Sequence, residues 1–187
     1  LGWENIRKSE KNYPESGRMI SFKKRDPKYQ KDQKAFFNSV ITDDWQTYNI
    51  PEWDFTRIFE TRWIAERTNP VRVLDVGCGC GFHDKIMAQQ RGVEKVFGID
   101  YSEKSIETAD LVYPHDKVER KQMDFLKDDI EALGYFDLVM SFQVIEHVEE
   151  YELFLKRMAS VPEDGGFIAV ATPNYNCFAN RIRAFFG

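Results

Sequence analysis

The run Val71-Arg72-Val73-Leu74-Asp75-Val76, followed at once by Gly77-Cys78-Gly79-Cys80-Gly81, constrains this chain more than any other stretch. A short apolar run bounded by turn residues reads as a buried strand. The three alternating glycines suit a backbone that turns sharply, takes positive φ or lies against a ligand. From Phe82 the period changes: Phe82, Ile86 and Met87 recur at helical spacing among Asp84, Lys85, Gln89 and Gln90, and Gly92 stops the run. Strand, glycine turn and helix N-terminus together form a ligand-binding corner of open α/β sheets.

The same grammar repeats downstream. Lys95-Val96-Phe97-Gly98-Ile99-Asp100 is a second strand, ending in an acid 19 residues after Gly81. An acid there is placed to accept hydrogen bonds from ribose hydroxyls. Ser102 caps a helix through about Tyr113, and a weaker third strand from near Val118 ends at Met123-Asp124-Phe125. Phe136 to Ser141 is a fourth strand, and Gly165-Gly166 turns into a fifth, Phe167 to Ala171. Tyr151, Phe154, Leu155 and Met158 mark the cleanest helical stripe between them. Alternating β and α units predict an α/β fold, with a parallel sheet covered on both faces and a crevice at the strands' C-terminal ends.

Taken serially, these residues resemble the class I S-adenosylmethionine-dependent methyltransferases, over roughly Asp54 to Asn174. Val73 to Gly81 is similar to the family's first motif, and Gly98-Ile99-Asp100-Tyr101-Ser102 to its ribose-binding motif. Asp124-Phe125 matches the adenine position. Phe136 to Ser141, continued by Val144-Ile145-Glu146-His147-Val148, takes the form seen in ubiquinone-biosynthesis and related small-molecule enzymes. Pro162-Glu163-Asp164-Gly165-Gly166 departs mildly from the usual Lys-Pro-Gly-Gly. The resemblance implies a Rossmann-like doubly wound, mainly parallel sheet with S-adenosyl-L-methionine as cofactor. It also implies a cofactor site of Asp75, Gly77, Gly79, Gly81, Asp100, Tyr101, Asp124, Phe125 and Ser141. Asp75 would organise the turn and help hold the donor's amino group, directly or through water, and Asp100 would take both ribose hydroxyls; Asp124 would accept from the adenine amine while Phe125 offers its N–H. The family's sheet normally gains a C-terminal strand pair, and this chain stops about thirteen residues past the fifth strand. The expectation is a core spanning 54–187 that lacks that pair, with about 40–60 further residues needed to complete it.

Acceptor chemistry points to His147 as general base, with Glu146 beside it, just past the fourth strand. Histidine titrates near neutrality, which suits deprotonation of a hydroxyl. A structural histidine capping the next helix is the competing reading. Some ubiquinone-pathway relatives place metal-binding carboxylates around this motif, whereas Gln143 occupies a neighbouring position here, so no metal is assigned. His83 is read as packing, or lining the donor pocket. Cys78-x-Cys80 sits in a glycine turn without the further ligands a zinc site requires.

Charge and composition narrow the alternatives. Three cysteines suit a reducing compartment, no apolar run approaches the roughly 18–20 residues of a membrane span, and cytoplasmic location is expected. The chain opens on Leu1 rather than Met, which leaves targeting open. Net charge is −5, with +5 in residues 1–34 and −10 in the remainder. An acidic core argues against a nucleic-acid acceptor, while a small-molecule acceptor methylated at oxygen is what the Glu146-His147 form of the fourth motif implies through the resemblance. Residues 36–53 carry Phe36, Phe37, Trp45, Tyr48 and Trp53, and the N-terminal extension 1–53 is expected to supply a lid over the crevice. A helix from Asp54, burying Phe55, Ile58, Phe59 and Trp63, should run to Asn69-Pro70. A nicotinamide oxidoreductase would share the glycine corner, but an anion at Asp75 disfavours a pyrophosphate. A non-catalytic binding module is opposed by the intact acids and glycines.

Overall fold

The computed structural model describes residues 51–173, with side chains from residue 55 onward. Residues 36–50 of the lid expected at 36–53, the basic segment 1–34 and the C-terminal stretch 174–187 lie outside the described residues. Helix α1 (Pro51–Thr68) leads into strand β1 (Arg72–Val76), helix α2 (Phe82–Ala88) and strand β2 (Lys95–Asp100). Helix α3 (Glu103–Val112), strand β3 (Val118–Gln122) and strand β4 (Leu138–Phe142) follow, then helix α4 (Tyr151–Ser160) and strand β5 (Phe167–Ala171). Short 3-10 turns at Glu131–Leu133 and Ile145–His147 flank β4.

All strand pairs are parallel, in the order β3-β2-β1-β4-β5. The Rossmann-like α/β architecture expected from the repeating pattern is therefore present. Chain order reverses between β1 and β4, and such a switch point opens a crevice at the strands' C-terminal ends.

Period-two alternation sorts the strand residues between two cores. Val73, Val96, Leu138 and Met140 pack with Ala65 of α1 and Met87 and Ala88 of α2. Leu74, Val76, Ile99 and Val139 face the other way, onto Phe154 and Met158 of α4. Edge strand β3 is polar, and its charged side chains discourage pairing with another chain.

The local start signals hold. Ser102 Oγ accepts from Ser105 N–H at 3.1 Å and caps α3. Gly81, with φ at 78°, turns the chain into α2.

Helix α1 differs from expectation. Phe55, Phe59 and Trp63 are 76%, 60% and 46% exposed, whereas Thr61 and Ala65 are buried. The inward stripe runs through Arg57, Ile58, Thr61, Ile64, Ala65 and Thr68, offset from the aromatics. What decides the face is the layer opposite: Thr61 bonds His83 of α2 and Ala65 enters the sheet's core, leaving the larger rings outside. On α4, Phe154 and Met158 are buried while Tyr151 and Leu155 are exposed, a narrower stripe than the sequence pattern indicates.

Candidate functional site

The glycine turn leaves β1 at the switch point, anchored by Gly77 N–H and Cys78 N–H to the Ile99 carbonyl at 2.7 and 3.0 Å. Gly77, Gly79 and Gly81 all adopt positive φ, where a side chain is strained. Their surroundings differ. A Cβ on Gly77 would collide with Val144, and one on Gly81 would lie 2.7 Å from the Arg120 guanidinium and 2.9 Å from Ala109 Cβ. Among the described residues, a Cβ on Gly79 would meet nothing within 4 Å. Only Gly79, then, presents bare backbone to open space; the other two make room for the protein's own side chains.

Asp100, at the tip of β2, closes the rim. Its Oδ2 accepts from Gly79 N–H at 3.0 Å and its Oδ1 from Ser102 N–H at 2.8 Å. Burial pushes its carboxyl above the usual range, opposed by those two N–H groups. A carboxylate offers about four lone-pair sites, so two remain for a ligand.

Asp75 lies behind the turn. It lies on the same strand face as Val73, 1% exposed, beneath α2. Its carboxyl faces that of Asp84, also fully buried; Asp75 Oδ2 and Asp84 Oδ1 have no other hydrogen-bond partner among the described residues, and Asp84 Oδ2 accepts from Arg120 Nε at 2.7 Å. Burial first, then the neighbouring Asp84 and Asp100 charges, pushes Asp75 well above the carboxylate range. Two facing carboxyls need one proton between them; Asp75 holds it and Asp84 carries the charge that Arg120 answers. The acid therefore braces the turn from below.

The remaining expected residues divide between rim and foundation. Ser141 is fully buried and donates to the Val76 carbonyl at 2.8 Å, tying β4 to the end of β1. Phe125 is buried edge-on against Phe154, with ring centroids 5.2 Å apart. Asp124 accepts from Leu126 N–H at 3.0 Å and from Lys127 Nζ at 2.7 Å, capping its own turn while half-exposed. Tyr101, half-buried, accepts at its carbonyl from Gln122.

Glu146 and His147 sit in the 3-10 turn past the C-terminal end of β4, as the glycine turn follows the C-terminal end of its parallel neighbour β1. Glu146 Oε2 accepts from Thr172 Oγ1 at 3.1 Å, and His147 N–H donates to the Val144 carbonyl at 2.8 Å. Among the described residues, no group of three or more His, Cys, Asp or Glu could hold a metal ion. Burial holds the Cys78 and Cys80 thiols above their ordinary range, so both are protonated.

Two features escape sequence reasoning. Gln143 leaves β4 with φ at 58°, a strained value for a residue with a side chain, while its N–H donates to the Ala171 carbonyl. The other is the tautomer of His83. Thr61 Oγ1 donates its single proton to the Arg57 carbonyl at 2.7 Å, so at 2.9 Å it must accept from His83 Nδ1–H. The ring stacks on Phe142 with centroids 4.3 Å apart, and burial, reinforced by the Arg57 charge, lowers its pKa to about 3. His83 is thus a neutral imidazole whose Nε2 keeps a lone pair.

With this geometry in hand, comparison with known proteins is informative. The methyltransferase domain family matches residues 68–184. The ubiquinone biosynthesis O-methyltransferase of Rhizobium etli is 35% identical over 119 residues, covering 62% of this chain and 46% of that protein. The Bordetella avium enzyme of the same name is 34% identical over 119 residues, covering 61% and 48%. The chain thus spans about half the length of the curated relatives it matches. Among solved structures, the plantazolicin methyltransferase BpumL in complex with SAH superposes with a TM-score of 0.62 at 20% identity, covering 77% of this chain and 59% of that one. The N-terminal domain of EvdMO1 with SAH bound gives 0.53 at 26% identity, covering 57% and 46%.

Proposed function

Because this chain belongs to the methyltransferase domain family, we propose that it binds S-adenosylmethionine at the Gly79 crevice and transfers its methyl group to a small-molecule acceptor, at oxygen. The observation that carries this reading is Gly79: positive φ, open space where a Cβ would stand, and the Asp100 carboxylate hydrogen-bonded to its N–H. A nucleoside fits such a corner, since the bare backbone admits close approach and the spare lone pairs of Asp100 suit vicinal hydroxyls. The choice of oxygen rests on the names of the ubiquinone-biosynthesis relatives.

The sulfonium supplies an already activated methyl group, so the protein's tasks are to orient, to desolvate and to manage one proton. Gly79 and Asp100 orient the donor, with Tyr101 following Asp100 at the rim. Asp124 and the Phe125 backbone flank the next strand end, where the adenine belongs. Gly77, Gly81, Asp75 and Ser141 hold that rim in place from behind. His147 takes the acceptor's hydroxyl proton, with Glu146 beside it, because both sit where β4 reaches the crevice mouth.

Titration calorimetry on the purified chain tests the donor assignment. S-adenosylhomocysteine should bind and NADH should not; Asp100→Ala should weaken S-adenosylhomocysteine by about 1.5–3 kcal/mol, the worth of hydrogen bonds to a charged group. Full affinity in a folded Asp100→Ala protein would remove Asp100 from the site. Labelled donor incubated with a panel of phenolic and alcoholic acceptors then tests the oxygen assignment, and product carrying the label on nitrogen or carbon only would refute it.

A further inference from the structure

Three residues stand side by side across three strands: Asp75 of β1 pairs with Gly98 of β2, and Gly98 pairs with Arg120 of β3. All lie on the face toward α2 and α3. The missing side chain at Gly98 leaves a gap in this row, and Asp84 of α2 drops into it. A Cβ on Gly98 would lie 2.6 Å from Asp84 Oδ2. Asp84 thereby touches the protonated Asp75 on one side and Arg120 on the other.

Arg120 reaches further. Its Nε holds Asp84 at 2.7 Å and its Nη1 holds Asp110 at 3.0 Å and the Ala109 carbonyl at 3.3 Å. Its Nη2 holds the Tyr113 carbonyl at 3.1 Å, so one guanidinium closes the C-terminal end of α3 and grips the first turn of α2. It also fills the space beneath Gly81, where a Cβ would collide with it. A single side chain on an edge strand thus links both helices that border the glycine turn.

We propose that Arg120 and Asp84 are positioning residues for donor binding: their buried pair, seated over Gly98 and sharing Asp75, sets the glycine turn and the start of α2. This rests on the reading of the Gly79 crevice as the donor site. The pair acts through charge as well as shape. The ionisable groups facing it are Asp75 on β1, Cys78 in the turn, Asp100 on β2 and Asp110 on α3, and among the described residues Arg120 is the cation that answers these acids. Removing that cation leaves a buried carboxylate without compensation, which forces Asp84 to take up a proton or leave its seat. A carboxyl whose folded-state pKa is raised loses stability as pH climbs above its unfolded value, so the damage must grow with pH. A merely space-filling arginine would show no such dependence.

The test measures S-adenosylhomocysteine affinity by calorimetry, and melting temperature by circular dichroism, at pH 6, 7 and 8. Wild type, Arg120→Met, and Arg120→Met with Asp84→Asn are compared. Arg120→Met should bind about tenfold more weakly than wild type at pH 8 and recover toward pH 6, its melting temperature falling in step. Adding Asp84→Asn should shrink the pH dependence to what buried Asp75 alone contributes and restore part of the affinity. Arg120→Lys, which keeps the charge but loses the fork, should bind several-fold more weakly with the wild-type pH profile, and it serves if Arg120→Met does not fold. Loss of affinity equal at every pH, no loss in Arg120→Met or Arg120→Lys, or a double variant no better than the single, would overturn the proposal. Failure of the wild type itself to bind at any pH would overturn the donor site, and this inference with it.

Discussion

Replacing Gly79 and Gly77 by alanine, one at a time, separates two uses of glycine that look alike in the sequence. Each has positive φ, at 53° and 77°, so each substitution forces a left-handed backbone on a residue with a Cβ. That strain costs about 1–2 kcal/mol. At Gly79 it is the whole stability cost, because nothing among the described residues lies within 4 Å of the new methyl group. For a domain of this size it corresponds to a fall in melting temperature of about 2–8 °C. The same methyl enters the crevice where the donor must lie, and overpacking of about 1–3 kcal/mol translates to roughly 5- to 150-fold weaker binding. At Gly77 the methyl instead meets Val144, adding about 1–3 kcal/mol of overpacking to the strain. Gly77→Ala should therefore unfold at clearly lower urea than Gly79→Ala, and Val144→Ala in the same chain should recover part of the difference. Urea titration gives the stabilities and calorimetry with S-adenosylhomocysteine the affinities. Wild-type affinity in Gly79→Ala would refute the placement of the donor against this residue. Equal stability of the two variants would refute the Val144 contact.

His83 should make the fold acid-sensitive. Its pKa is lowered from 6.5 to about 3, so between those values the unfolded chain binds a proton that the folded chain refuses, and stability falls as pH drops through that window. The slope is at most about 1.4 kcal/mol per pH unit, and His83→Gln should flatten it in urea titrations between pH 4 and 6.5; an unchanged slope would mean the ring is not held neutral. Thr61→Val should cost about 1–3 kcal/mol by orphaning His83 Nδ1–H, read in the same titrations at pH 7, and a neutral effect would argue for the other tautomer. His147→Ala should lower turnover of a hydroxyl acceptor by about 10²-fold or more while leaving S-adenosylhomocysteine affinity unchanged, and near-normal turnover would assign this histidine a structural role.

The order of strands and helices was legible because each element announces itself locally. Val73-Leu74 before a glycine turn, Ser102 before α3 and the unbroken run Phe167 to Ala171 need only neighbours in the chain to be read. The position of Asp100 was legible for the same reason: an acid at the end of a strand stays at the end whatever packs around it. The role of each glycine was not. Gly77, Gly79 and Gly81 share a backbone region, yet Val144, open space and Arg120 stand opposite them, and those partners come from 67 residues, nowhere and 39 residues away. The helix α1 face was misread because Phe55, Phe59 and Trp63 make a better apolar stripe than Thr61 and Ala65, and periodicity alone cannot know that His83 waits opposite Thr61. Asp75 is the sharpest case. Its place at the end of a strand marks it as an acid that organises the turn, but only strand register sets it beside Gly98 and in line with Arg120, and that gap admits Asp84. Local chemistry determined where this chain turns and which ends bear acids. Which of those acids is charged depends on what the sheet's register brings within a few ångströms, because burial and neighbouring charge act through space and leave no trace in spacing.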